Sequence, residues 1–349
     1  MGLVSSAAAI SLLSCTKSET KDSEKPNVVF FLVDDMGWTD LGCYGSSFYE
    51  TPNIDNFAKE GVKFTNAYAT CHVCSPTRAS IMTGKYPATL DLTDWIPGRR
   101  DYDFQRLLNA EHELGLPTQE ETIAEALKKE GYSTAIFGKW HLGGPETGPL
   151  NQGFDVALPE NWYRCCPNRT YHSPYELDGL EDEEGGYLTD KLTDEALKYI
   201  DQNKDNPFFL FFSSHDLHVP RIPHERFRGK SALSYRGDVI VQLDWCVGEL
   251  VKTLERLKLS KNTLIVFCSD NGPVGDDGYK DFALEKMGDH QPNGPFSGGK
   301  YSVLEGGTRT PFITYWPGRI DKGVSEEMVC TIDLAASFAS LAGVKLPKA

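Results

Sequence analysis

Asn27-Val-Val-Phe-Phe-Leu-Val33 is a continuous run of apolar residues that ends directly in Asp34-Asp35. A run without polar alternation is typical of a strand that is buried on both faces of a sheet. Three further strands are predicted downstream, and each is followed by polar residues: 133–137, 207–212 and 262–268. Helical periodicity lies between them, at 123–127, 188–200 and 237–257. Strands that alternate with helices predict an α/β fold with a doubly wound, mostly parallel sheet flanked by helices.

Local signals place several boundaries. Thr51 before Pro52 favours a helix start, and Gly61 favours its end. Thr118 and Glu121 have the spacing of a capping box ahead of the helix at 123–127. A strand at 311–316 and a helix at 333–341 complete the pattern. A chain of 349 residues is compatible with one large α/β domain, which we place at residues 27–345.

The overall charge limits the partners. The chain carries a formal net charge of −15 at pH 7. This charge argues against nucleic acid and against anionic membrane surfaces as partners. An anionic substrate would need a local cluster of basic groups.

The first 26 residues indicate export. Residues 1–15 hold an apolar run that is too short to span a bilayer, and Leu12-Leu-Ser-Cys15 resembles a bacterial lipobox. Residues 16–26 are polar and would form a flexible tether. We therefore expect a periplasmic or outer-membrane lipoprotein that touches the membrane only through a lipid anchor. No Lys or Arg precedes the apolar run, so a disordered leader is the alternative.

The predicted strands end in chemically active residues. Parallel α/β sheets carry their sites outside the carboxyl ends of the strands, so residues that follow neighbouring strands should meet in one crevice. Lys139 and His141 would face the same side if their strand continued. The residues expected in this crevice are Asp34, Asp35, Lys139, His141, His215, His218, Asp270 and Asn271.

The oxygen donors in that set suit a hard cation. Asp34, Asp35, Asp270 and Asn271 offer three carboxylates and one amide, which favour Ca²⁺, with Mg²⁺ as the second choice. Strand-end turns are the structural alternative for each doublet.

The segment Cys71-His-Val-Cys-Ser-Pro-Thr-Arg-Ala-Ser-Ile-Met-Thr-Gly-Lys85 has the pattern of a helix start. Pro76 fits the first turn, and Gly84 fits the end. Cys74 would lie at the positive end of this helix near Arg78, where a thiolate or an oxyanion is stabilised. By itself the segment allows a buried core cysteine, a Cys71–Cys74 redox or metal pair, or a catalytic nucleophile.

The motifs together resemble those of type I, formylglycine-dependent sulfatases of the alkaline-phosphatase-like superfamily. The resemblance covers roughly residues 26–345, and the motifs occur in the family's order. They are Asp34-Asp35, Cys74-Ser-Pro-Thr-Arg78 with Thr83-Gly84, Gly138-Lys-Trp-His141, His218-x-Pro220, Ser269-Asp-Asn-Gly272, and Gly299-Lys300 with Glu305-Gly-Gly307.

The resemblance implies a role for each residue. A maturase would convert Cys74 to formylglycine (3-oxoalanine), which would share Ca²⁺ with the four oxygen donors and attack sulfur as its hydrate. Arg78, Lys139 and Lys300 would stabilise negative charge. His218 would protonate the leaving alcohol, and His141 would take the proton from the second hydroxyl. His215 and Asn161 are weaker candidates for substrate contact, and a solvated surface lysine is the alternative for Lys300.

Two further features bear on the substrate and on how much of the family's catalytic domain the chain contains. A basic cluster at 215–230, with its histidines and with Arg226, Arg228 and Lys230, suggests binding of an anionic glycan, and pairing with the chain's own acids is the alternative. The expected substrate is a sulfated carbohydrate such as a glycosaminoglycan or galactan, with sulfate at the 6- or 4-position of galactose or N-acetylgalactosamine. The family's small C-terminal subdomain has no counterpart, so we expect a C-terminally truncated catalytic domain. The alternatives are a phosphonate or phosphodiester hydrolase and an inactive glycan-binding lipoprotein.

Overall fold

The computed structural model describes residues 25–161, 163, 171, 179–181, 185–231, 235–278 and 281–344. The predicted signal segment 1–15, including Cys15, and most of the tether lie outside the described residues. Within the described ranges, one sheet contains the strands β1 Asn27–Val33, β2 Val62–Tyr68, β3 Ser133–Gly138, β4 Val156–Leu158, β5 Phe208–Ser213, β6 Thr263–Ser269, β7 Phe312–Tyr315 and β8 Gly323–Cys330. The helices are α1 Pro52–Glu60, α2 Cys74–Thr83, α3 Ile123–Lys129, α4 Leu188–Gln202, α5 Tyr235–Arg256, α6 Ala283–Lys286, α7 Glu305–Thr308 and α8 Asp333–Ala342.

The sheet order is β4-β3-β5-β1-β6-β7-β2-β8. Strands β4, β3, β5, β1 and β6 run parallel, whereas β7 is antiparallel to both of its neighbours. The prediction of a mostly parallel, doubly wound sheet is confirmed. None of the helices in the described part of the chain combines the length and the apolar character needed to cross a membrane.

Strand β1 is buried on both faces, as its composition predicts. Val29, Phe31 and Val33 pack into one apolar core with residues of α1, α4 and α5. The alternate residues Val28 and Phe30 pack into a second core with residues of α2, α3 and α8. Full burial of such side chains contributes roughly 1.5–3 kcal/mol each. This burial stabilises the position of β1 between two helical layers.

Some local predictions were wrong. The capping box of α3 is formed by Thr122 and Glu125, since Glu125 N–H donates to Thr122 Oγ1 at 3.1 Å and Thr122 N–H donates to Glu125. Thr118 and Glu121 do not cap this helix. Strands β2 and β8 were not predicted, because β2 mixes polar and apolar residues and the edge strand β8 is largely exposed.

Candidate active site

Four neighbouring parallel strands bring the predicted residues to one place. The strands β3, β5, β1 and β6 lie side by side, and their carboxyl ends define what we call the carboxyl-end crevice. Backbone bonds continue past the strand ends, with Asp270 N–H to Val33 O at 3.0 Å and Lys139 N–H to Ser213 O at 3.0 Å. The predicted convergence is therefore present in the fold. Strand β3 ends at Gly138, however, and His141 has a positive φ of 58°, so strand alternation does not place His141.

Arg78 joins the ends of three strands. Its Nε donates to Asp270 Oδ2 at 2.9 Å, after β6. Its Nη1 donates to Lys139 O at 2.9 Å, after β3, and to Ser213 Oγ at 2.6 Å, at the end of β5. The guanidinium is 1% exposed. Arg78 thus positions helix α2 against the carboxyl-end crevice, a role that its charge alone did not predict.

The carboxylates are paired with buried cations. Lys139 Nζ lies 2.5 Å from Asp34 Oδ2, and Lys300 Nζ lies 2.9 Å from Asp35 Oδ2. Asn271 Nδ2 donates to Asp35 Oδ1 at 2.7 Å. Lys300 is buried, so the surface-lysine alternative is wrong. Burial would raise the pKa of Asp34, but Lys139 and its other cationic neighbours hold this pKa well below its usual value.

The donor set fits a divalent cation. Asp34 Oδ1 and Asn271 Oδ1 are buried and have no hydrogen-bond partner among the described residues. Cys74 Sγ and one carboxylate oxygen each from Asp34 and Asp270 lie within 4.8 Å of one another. Burial and the nearby Asp34 raise the pKa of Asp270 to about 7. A cation at this point would offset the repulsion between the carboxylates and satisfy the unpaired oxygens.

Cys74 begins helix α2 and is 2% exposed. Burial raises the pKa of its thiol to about 11, despite the opposing charges of Lys139 and Lys300. The position therefore does not favour a thiolate, contrary to the expectation from the helix end. Cys71 and Cys74 are both free thiols, which gives no support to a disulfide pair.

Hydrogen bonds to backbone carbonyls fix which ring nitrogen carries the hydrogen in His141 and in His218. His141 Nε2 donates to Ile96 O at 2.7 Å, so Nδ1 is the acceptor nitrogen; it is buried without a hydrogen-bond partner among the described residues. Burial and Lys139 hold the pKa of His141 well below its usual value. His218 Nδ1 donates to Val219 O at 2.6 Å, and its Nε2 lies 3.8 Å from Asp35 Oδ2. Burial and Lys300 lower the pKa of His218 to about 4.

Comparison of this chain with known protein families and structures shows its family. The family profile described as "Sulfatase" matches residues 26–344. The chain belongs to the sulfatase family. Members of this family are sulfuric ester hydrolases, and the predictions of family and reaction class are confirmed at that level.

Named relatives include an N-acetylgalactosamine-6-O-sulfatase of Bacteroides thetaiotaomicron, with 38% identity over 97% of this chain and 77% of the relative. The human N-acetylgalactosamine-6-sulfatase is 35% identical over 93% of this chain and 63% of its own length. A solved Bacteroides thetaiotaomicron chain, described with the metabolism of multiple glycosaminoglycans, aligns with a TM-score of 0.78 at 36% identity. That alignment covers 93% of this chain and 79% of the other. This chain therefore spans 63–79% of the length of these relatives.

The weaker candidates have different surroundings. His215 is buried, and its ring centroid lies 5.2 Å from that of His218 and 5.5 Å from that of Tyr171. Asn161 accepts a backbone bond from Tyr163 N–H, which does not link it to the carboxyl-end crevice. Its role in substrate contact stays a prediction.

The basic cluster at 215–230 is partly paired with the chain's own acids. Arg221 is buried and lies 2.6 Å from Asp281. Arg226 lies 2.7 Å from Asp190 and packs over Trp245. These contacts favour the structural alternative for both arginines over a grip on substrate.

Sequence reasoning missed three contributors. Ser213 accepts from Arg78, the carbonyl of Ile96 accepts from His141, and Ser75 Oγ accepts from Ile96 N–H at 3.1 Å. Ser213 comes directly after the apolar run 207–212, and this position could have indicated a place in the crevice. Nothing in the sequence around Ile96 indicates contact with residues about 20 and 45 positions away, as the structure shows.

Proposed function

We propose that this chain hydrolyses a sulfate ester on a carbohydrate, using a formylglycine derived from Cys74. The observation that carries the proposal is the position of Cys74 Sγ within 4.8 Å of oxygens of both Asp34 and Asp270, at the start of helix α2. The lysines beside Asp34 and Asp35 supply the positive charge that a sulfate needs in an acidic protein.

In this proposal, Asp34, Asp35, Asp270 and Asn271 hold Ca²⁺ together with the modified Cys74. The ion would supply Lewis-acid polarisation of the sulfate, and the hydrated formylglycine would supply the nucleophilic oxygen. Conversion of Cys74 requires a maturase, and its raised thiol pKa fits a residue that does not act as a thiolate. Arg78 positions the helix that carries this residue.

Lys139 and Lys300 bind the sulfate oxygens and oppose the charge that develops on them. Nδ1 of His141 would accept the proton of the second hydroxyl of the hydrated formylglycine as sulfate leaves and the aldehyde is restored. Its low pKa keeps it neutral, and its Nε2 hydrogen is fixed on Ile96 O. His218 donates a proton to the leaving alcohol from Nε2. A bound sulfate places negative charge beside this ring and raises its pKa, so the protonated form arises with substrate present.

We propose a glycosaminoglycan or galactan as substrate, with sulfate on galactose or N-acetylgalactosamine. Relatives at 35–38% identity carry the name N-acetylgalactosamine-6-sulfatase or -6-O-sulfatase, which favours the 6-position over the 4-position for the first test. The protein would act outside the cytoplasm, held by a lipid at Cys15.

The test is sulfate release from defined saccharides by the protein expressed with a maturase. We expect release from a 6-sulfated N-acetylgalactosamine unit and none by the Cys74→Ala variant. Faster hydrolysis of an aryl phosphate or phosphonate than of the matching aryl sulfate would instead favour the phosphonate or phosphodiester hydrolase alternative. Saccharide binding without any ester turnover would favour the inactive glycan-binding lipoprotein.

A further inference from the structure

A loop that follows helix α2 forms the edge of the carboxyl-end crevice. We call residues 95–109 the rim loop. The backbone of Ile96 fixes it to the site, since its N–H donates to Ser75 Oγ at 3.1 Å and its carbonyl accepts from His141 Nε2 at 2.7 Å. The guanidinium of Arg99 lies 5.2 Å from the ring centroid of Tyr301, the neighbour of Lys300. The rim loop therefore contacts His141 directly and contacts the residues next to Cys74 and Lys300.

The rim loop borders an open cavity of about 790 Å³. Its lining includes Trp95, Arg99, Arg100, Tyr102, Phe104 and Asn109. This lining includes two arginines and three aromatic rings but no carboxylate, although the chain as a whole has a net charge of −15. Arginines in a lining without a carboxylate favour an anionic ligand.

Internal bonds hold the rim loop in shape. Asn109 Nδ2 donates to Arg99 O at 3.2 Å, Arg100 O at 3.3 Å and Asp101 Oδ1 at 3.0 Å. The Asp101 carboxylate is thus engaged by Asn109. The side chains of Arg100, Tyr102 and Phe104 remain exposed, with Tyr102 at 56% and Phe104 at 82%. The Tyr102 and Phe104 rings stack with centroids 5.2 Å apart and planes 18° from parallel.

We propose that the rim loop is a second saccharide-binding site, which holds the units next to the one whose ester is cleaved. The aromatic rings would pack against the C–H face of a pyranose, and Arg100 would bind a carboxylate or a further sulfate. This inference rests on the proposed function, because it assumes that the carboxyl-end crevice accepts a sulfated sugar. It commits to an anionic oligosaccharide rather than a protein as the occupant.

The kinetic test compares a sulfated, uronate-containing tetrasaccharide with a small aryl sulfate. For Tyr102→Ala/Phe104→Ala and for Arg100→Ala, we expect the KM of the tetrasaccharide to rise at least about fivefold. The kcat/KM for the aryl sulfate should stay within about twofold, since the small substrate does not reach the rim loop. Leu107→Ala and Arg106→Ala are matched controls, because both residues are exposed on the same loop but do not line the cavity. Equal effects on both substrates, or no effect on the tetrasaccharide, would overturn the proposal.

A binding test separates this inference from the proposed function. The Cys74→Ala protein is titrated by calorimetry with the same tetrasaccharide after removal of its sulfate groups. We expect binding that weakens at least about fivefold on adding Tyr102→Ala/Phe104→Ala and is unchanged on adding Leu107→Ala. This outcome supports the rim-loop site even if no ester is hydrolysed. Lack of binding by the Cys74→Ala parent, or a change of oligomeric state as the only effect of the rim-loop variants, would refute it.

Discussion

Arg78 and Asp270 form a buried ion pair, with Nη2 2.8 Å and Nε 2.9 Å from the same carboxylate oxygen. The pair fixes the start of helix α2, where Cys74 lies, to the end of strand β6. Because the remaining Nη1 group bonds Lys139 O and Ser213 Oγ, one side chain sets the spacing of three strand ends. The relative positions of the proposed site residues therefore depend on a planar side chain that donates several hydrogen bonds.

Arg78→Lys should lower kcat by about a hundredfold or more, since misplacement of reacting groups by an ångström has effects of that size. A lysine has one ammonium and cannot bond the three strand ends together. Sulfate release and thermal unfolding are measured together. Arg226→Lys, at an exposed ion pair with Asp190, is the control and should retain activity. Full activity of Arg78→Lys would contradict the positioning role.

Cys74→Ala should abolish turnover while the midpoint of thermal unfolding changes little, because the change removes one atom from the start of a helix. Cys71→Ala is the control and should stay active, as Cys71 lies outside the proposed chemistry. Mass spectrometry of the peptide that contains Cys74 should show the formylglycine form after expression with a maturase. A peptide that carries only the thiol, in a preparation with full activity, would refute the formylglycine assignment.

Asp270→Asn and Asn271→Ala should each reduce the amount of bound Ca²⁺, because each removes or neutralises an oxygen donor. Metal content is measured by elemental analysis after dialysis against a fixed free Ca²⁺ concentration. Asp276→Asn is the matched control, since Asp276 is exposed and bonds Gly278 N–H. Unchanged metal content in both site variants would rule out this metal site.

Asp244→Ala should lower the free energy of unfolding by about 1–3 kcal/mol. The Asp244 carboxylate accepts from Asn53 N–H at 3.2 Å and Ile54 N–H at 2.8 Å, and so caps helix α1 from helix α5. Thr51 occupies the N-cap position but makes no capping bond. Denaturant unfolding measures the change, with Glu255→Ala, an exposed residue of the same helix, as the control. Equal stability of both variants would show that the cap contributes little.

Because His141 is buried in its neutral form, it should lower the free energy of unfolding in mildly acidic solution. Its pKa in the folded protein is well below the usual value, whereas the unfolded side chain binds a proton below about pH 6.5. The unfolded state then binds more protons, so this contribution to stability is lost as pH falls below about 6.5 and is present above it. Denaturant unfolding at pH 5, 6 and 7 should show a shallower pH dependence for His141→Gln than for His112→Gln. Parallel curves for the two variants would contradict a buried neutral His141.

The sequence by itself determined the buried parallel strands, the helices between them and the chemistry at the strand ends. Long apolar runs such as 27–33 predict buried parallel strands, because only a strand covered on both faces can be apolar throughout. The connection between parallel strands and a site at their carboxyl ends then placed Asp34, His218 and Asp270 together. Edge strands such as β8 escaped prediction, since an exposed strand carries no such apolar run.

The tertiary structure alone decided how the side chains share the site. Local sequence does not indicate that Arg78 bonds Ser213 or that Ile96 holds both Ser75 and His141, because these contacts join residues far apart in the chain. It also decided that Arg221 and Arg226 pair with acids of the protein. Charge is visible in a sequence, but whether a charge is satisfied depends on which groups folding brings within bonding distance.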